Sequence, residues 1–207
     1  MPPSNSNMDS RNARGEPDPQ TIAAFKDTPW AANLFSDPTL TPFSNDSRVL
    51  KSHTGDSFCA STLNTPETIS AWQSFYRFPQ NSPNENKRTE TLTLLKLGTG
   101  VNGHRDICHG GFVSLLLDEV LGSAAENERP EDKSTMTAYL KVDYRAPVRT
   151  PGVVLCRAWV EKKEGKKIWT RGTVEVDEGD GGKLKVAAEG EALFIIVEES
   201  LVGKAKL

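Results

Sequence analysis

The pattern of apolar and polar positions changes character at residue 108. The run CHGGFVSLLLDEVLGSAA (108–125) holds Phe112, Val113, Leu115–Leu117, Val120 and Leu121. Apolar side chains fall on nearly every face of a 3.6-residue repeat, which predicts a helix enclosed by protein. Four strand-like runs follow, at 134–148, 152–163, 166–178 and 183–199. EGKK (164–167) and EGDGG (178–182) between them predict antiparallel hairpins.

Before the helix the pattern is more broken. TETLTLLKLG (89–98) reads as a strand, and GTGVNGHRD (98–106) as a glycine-rich loop leading into the helix. FCASTLNT (58–65) reads as a short strand by its β-formers. ISAWQSFYRF (69–78) suits helix or strand, and NSPNENKR (81–88) is a polar loop. From Thr21 to Leu50 short helical pieces alternate with prolines, as in a segment packed outside a domain. Residues 1–20, rich in Ser, Asn, Pro and Arg, read as a disordered arm. These boundaries predict an arm (1–20), a helical extension (21–57), one main domain (58–199) and a flexible tail (200–207). The fold class is α+β, with an antiparallel sheet wrapped over one long helix.

Composition narrows the function. A chain of 207 residues with 36% hydrophobic and 26% charged content suits one domain with a core. A net charge of -3 gives no electrostatic footprint for nucleic acid. No apolar run reaches the roughly 20 residues of a membrane span, and no secretory apolar region stands near Met1. Cys59, Cys108 and Cys156 are widely spaced, which points to free thiols in a reducing compartment. With three histidines and no Cys/His cluster, no metal site is expected.

The chemistry lies in the helix. Gly110 and Gly111 stand at its start, where free backbone N–H groups and the helix dipole favour negative charge. An oxyanion developing on a thioester carbonyl is one such charge. Asp118 and Glu119 interrupt the apolar run about two turns later. A buried carboxylate costs several kcal/mol unless it has a partner or a task. Pattern does not choose between the two, since neighbours differ by about 100° around a helix.

HGGFVSLLLDEVLG resembles the HGG-x6-D helix of hotdog-fold acyl-CoA thioesterases, closest to the PaaI-like branch with the thioesterase superfamily members. The likeness continues through TAYLKVDYRAPV (137–148) and EGKKIW (164–169), and extends from roughly Phe58 to Val197. It implies a hotdog fold and hydrolysis of an acyl-CoA to free acid and CoA. Asp118 takes the position of the catalytic carboxylate, and by the same likeness Glu119 has no task. The Gly110 N–H takes the oxyanion donor's position, with His109 and Gly111 completing the motif. Thr137 matches a hydroxyl that holds the attacking water. Arg145, Lys166 and Lys167 match basic positions that contact the coenzyme. Asp143 stands where relatives have Asn, and a carboxylate there would repel phosphate. Asn102 lies about one residue from the position of a polarising Asn in some relatives; as a residue of VNG it also reads as a turn.

The alternation of TAYLKVDYR places Thr137 on one polar face with Lys141, Asp143 and Arg145, opposite Leu140, Val142 and Tyr144. Phe75, Tyr76, Phe112 and Trp169 are candidates to line an acyl pocket, although core packing is the commoner use of each. Cys108 beside His109 reads as a buried structural cysteine. The resemblance implies no cofactor apart from coenzyme A as part of the substrate. It also implies a homodimer or a dimer of dimers, with sites formed between subunits. Ala205-Lys206-Leu207 resembles a peroxisomal address read by an import receptor, which would place the protein in the peroxisome, otherwise in the cytoplasm. Two other readings are a hotdog hydratase or dehydratase, and a dimer that binds acyl-CoA without turnover.

Overall fold

The computed structural model describes residues 15–79, 88–179 and 182–198. The arm up to residue 14, the loop at 81–87 and the terminal tripeptide at 205–207 lie outside the described residues. Two short helices open the chain, α1 (Pro19–Phe25) and α2 (Pro29–Leu34), each with proline in its first turn. Then come β1 (Leu40–Phe43), β2 (Ile69–Arg77) and β3 (Glu90–Leu97), and a small ribbon of β4 (Asn102–His104) and β5 (Ile107–Cys108). The long helix α3 (Gly110–Glu126) precedes β6 (Lys133–Tyr144), β7 (Gly152–Glu164), β8 (Lys167–Asp177) and β9 (Leu184–Glu198).

Seven strands form one antiparallel sheet in the order β1-β2-β3-β7-β8-β9-β6. The sheet wraps α3, as the hotdog resemblance implies. Leu116, Leu117, Val120 and Leu121 are buried against Leu95, Val154 and Ile168. Close approach of helix to sheet needs small residues beneath it. A Cβ at Gly190 would lie 3.1 Å from methyls of Leu117 and Leu121.

The opposite face of β2, β3 and β7 is covered by α1 and α2, where Phe25 and Ala31 pack with Leu94. Strand β3 is therefore buried on both faces, which explains its continuous apolar run. Phe75 belongs to this outer layer with Leu40, Leu92 and Leu155. Tyr76 stacks on Phe43 at 3.9 Å between centroids. Trp169 alternates with the inward Ile168 and Thr170 and lies under the Lys162 ammonium, on the sheet face away from α3. Of the four pocket candidates, Phe112 packs against the α3 core.

Two local expectations change. Residues 58–62 are a helical turn and not a strand. The Arg48 guanidinium donates to the Cys59 carbonyl at 2.7 Å and the Leu63 carbonyl at 3.3 Å, so the end of that turn is satisfied by a side chain. Residues 69–77, ambiguous by pattern, are the strand β2.

Candidate active site

The helix start is built first. His109 is the N-cap of α3, and its Nδ1 accepts from the Gly111 N–H at 2.9 Å. The His109 carbonyl accepts from Phe112 N–H at 2.9 Å and Val113 N–H at 3.1 Å. Every N–H of the first turn except that of Gly110 is thus taken. Gly111, expected beside Gly110 as a site residue, has its own N–H engaged within the cap. Gly110 is exposed, and its N–H, at the positive end of the helix, has no acceptor among the described residues.

Asp118 lies on the flank of α3 that faces β6. Thr137 Oγ1 donates to Asp118 Oδ1 at 3.0 Å. This overturns the strand face expected for Thr137. The pairing of β6 with β9 shifts between Thr137 and Tyr139, leaving Ala138 as a bulge. The bulge switches the parity of the strand. Thr135, bonded to Glu126 at 2.6 Å, and Thr137 point to the helix before it, while Leu140 and Val142 do so after it. Lys141, Asp143 and Arg145 point the other way. There Lys141 pairs with Asp143 at 3.7 Å and Arg145 with Glu189 at 3.3 Å.

Glu119, the residue without an expected task, carries a perturbed carboxyl. Burial pushes its pKa above the ordinary range, against opposing hydrogen bonds from Ser47 and the Cys59 thiol. Burial and the neighbouring Glu119 push Cys59 up to about 12, so it is a protonated donor. Cys108 is likewise pushed up to about 12 by burial, which suits the structural role expected for it.

Asn102 accepts a hydrogen bond from Thr150 Oγ1. The position facing the His109 ring is Gly103, where a Cβ would lie 2.8 Å from His109 Cδ2. The Asn102 carbonyl oxygen is thus engaged by Thr150 and not by the helix start. Lys166 and Lys167 are exposed in the β7–β8 turn and have no ion-pair partner among the described residues.

These residues form two separate groups. The Lys166 carbonyl accepts from Ile196 N–H at 2.8 Å, at the end of β9 near Thr137 and Asp118. Arg145 N–H donates to the Ala187 carbonyl at 2.8 Å, at the other end. Nine residues of strand separate the two points, roughly 30 Å. Along α3, Gly110 and Asp118 are eight residues apart, about 12 Å. A single chain therefore presents a carboxylate group and a donor group without bringing them together.

Residues 106–183 match the family model described as Thioesterase superfamily. Over 106 residues the chain is 29% identical to acyl-coenzyme A thioesterase THEM4 of Mus musculus, covering 51% of this chain and 42% of that protein. Over 104 residues it is 32% identical to THEM4 of Xenopus laevis, covering 50% of this chain and 44% of that protein. The matched segment thus spans less than half of each relative. Among solved structures, a Bacillus halodurans protein with CoA aligns with TM-score 0.46 and 24% identity, over 51% of this chain and 66% of that one. A thioesterase family protein from Silicibacter pomeroyi aligns with TM-score 0.49 and 20% identity, over 59% and 85%.

Proposed function

We propose that this protein hydrolyses an acyl-CoA thioester to the free acid and CoA, in a site shared between two copies of the chain. The observation that carries the reading is the pairing of Asp118 with Thr137 on one flank of α3 while the Gly110 N–H stands free at its start. A two-fold axis near Ser114, midway between Gly110 and Asp118, would set the second copy's Gly110 opposite Asp118. The same rotation would bring the second copy's Arg145 toward Lys166 and Lys167, where the coenzyme phosphates need cations.

The sheet edges support this pairing. The β1 edge has four residues and contains Pro42, which blunts it. The β6 edge has twelve and carries Met136, Tyr139 and Tyr144 at 50%, 40% and 55% exposure. An open edge of this length is a template for another strand.

In the reaction, a water held by Thr137 gives its proton to Asp118 as its oxygen attacks the thioester carbon. The carbonyl oxygen takes up the negative charge opposite the Gly110 N–H. The C–S bond then breaks, Asp118 gives its proton to the departing CoA sulfur, and the acid and CoA are released. A hydratase would need a second proton-transfer group beside Asp118, and the nearest histidine in sequence, His109, has its Nδ1 committed to the cap.

Release of free thiol from acyl-CoAs between acetyl and palmitoyl, and from phenylacetyl-CoA, tests the reading with Asp118→Asn alongside. Release that needs Asp118 is expected. A folded dimer that releases none of them would point to a binding-only protein.

A further inference from the structure

The free donor at Gly110 belongs to a turn that begins with two glycines. Consecutive glycines explore a wide range of φ and ψ, so such a turn needs anchors if it is to present its N–H in one direction. The His109–Gly110 peptide carries the free N–H, and its carbonyl is held from within the helix by Phe112 and Val113. The next peptide, Gly110–Gly111, is held from outside at both ends. Its N–H donates to His109 Nδ1 at 2.9 Å. Its carbonyl accepts from the Tyr144 hydroxyl at 2.9 Å. Tyr144 Oη lies 2.5 Å from Ser114 Oγ, one helical turn on. With the Tyr144 proton on the Gly110 carbonyl, Ser114 donates to Tyr144.

The Tyr144 ring also lies against this turn. A Cβ at Gly110 would stand 3.6 Å from ring carbons of Tyr144. Yet the side chain is 55% exposed, so it is not simply a core residue. It arrives from β6, the strand that also supplies Thr137. One strand therefore ties the sheet edge to both parts of the chemistry.

We propose that Tyr144 is a positioning residue for the oxyanion donor: its hydroxyl, bonded to Ser114, anchors the Gly110 carbonyl so that the first turn of α3 presents the Gly110 N–H in one fixed direction. The proposal rests on the thioesterase reading above. Tyr144 itself acts through Gly110 and need not touch the substrate.

Tyr144→Phe keeps the ring and removes the anchor. Its turnover is expected to fall about tenfold, less than the 10²–10³ that follows outright loss of an oxyanion donor. KM should change by less than about twofold, because the interaction matters when charge develops. Melting temperature and dimer content should stay native, and amide hydrogen exchange at Gly111, whose N–H is bonded to His109, should become faster. Thr173→Val removes a hydroxyl that bonds Glu175 on β8, away from β6, and should behave as the native protein in every readout. Native turnover and native exchange in Tyr144→Phe would overturn the proposal. A parallel Asp118→Asn measurement separates the two claims. If Asp118→Asn stays fully active, the base assignment fails while the exchange result still decides for or against Tyr144. If the native protein hydrolyses nothing, unchanged Gly111 exchange in Tyr144→Phe overturns the anchor as well.

Discussion

The two flanks of α3 carry neighbouring carboxyl groups in opposite surroundings. Glu119 faces the chain segment that precedes β2, where Ser47 and the Cys59 thiol donate to it and burial raises its pKa. Arg48, nearby, is committed to the carbonyls of Cys59, Leu63 and Ile69 and to the Asn64 side chain. That flank is closed by the chain's own extension. Asp118 faces β6, with one hydroxyl on one oxygen, at the open edge of the sheet. A rotation of about 100° around a helix separates a carboxyl that fastens a segment from one beside the open-edge strand of the sheet. On the hydrolytic reading proposed above, burial alone does not mark the reactive group. What would mark it is a carboxylate with one oxygen free among the described residues, beside a donor that another copy would complete.

The largest effect should separate the two carboxyls directly. Asp118→Asn should lower turnover by about 10²–10⁴, the range for a general base, with KM little changed. Glu119→Gln should keep turnover within about threefold, since it leaves the proposed reacting groups in place. Steady-state kinetics on one good acyl-CoA decides this, and a reversed order would invert the assignment.

Next in size is the open edge. Met136→Lys places a charge on the strand that is proposed to pair, as natural edges do to prevent pairing. Light scattering should then show monomer, and turnover should fall by about 10² or more because neither half-site is complete alone. A fully active monomer would remove the shared site.

A smaller effect is expected at the β7–β8 turn. Lys166→Ala with Lys167→Ala should raise KM about three- to tenfold at low salt, with the difference shrinking as salt rises. An unchanged KM would show that the coenzyme phosphates lie elsewhere.

The smallest belongs to the closed flank. Because the native pKa of Glu119 is raised above its ordinary value of 4.5, the native state binds this proton more tightly than the unfolded chain. The stability this contributes is full below pH 4.5 and is lost as pH rises through the raised native value. Glu119→Gln should remove that loss. Its melting temperature should rise relative to the native protein as pH is raised above 4.5, by about 2–4 °C for each kcal/mol recovered. A difference independent of pH would mean that burial does not raise the Glu119 pKa.

Much of this was legible in the chain. The enclosed helix, the hairpins at EGKK and EGDGG, and the four-strand run after the helix follow from periodicity and turn residues, because those signals are local. Three features were not legible. The bulge at Ala138 reverses which face Thr137 occupies, yet TAYLKV alternates as an unbroken strand would. The turn at Phe58–Thr62 is rich in β-formers, but Arg48, ten residues before its start, satisfies its carbonyls in a helical form. The task of Glu119 depends on Ser47 and Cys59, which lie more than 50 residues away in the chain. Each depends on contacts distant in sequence, which pattern does not contain.

The shared site is tested most directly by mixing two inactive variants. Asp118→Asn removes the base. Gly110→Pro removes the free N–H, at a first helical position where proline is well tolerated. The backbone of His109, at φ -63 and ψ 133, suits a following proline. After co-refolding at equal amounts, half of the dimers carry one of each chain. In each mixed dimer one site combines both defects and the other is native, so about a quarter of native turnover should return. Turnover that stays at the level of the separate variants would place Asp118 and Gly110 in one protomer's site and contradict the account.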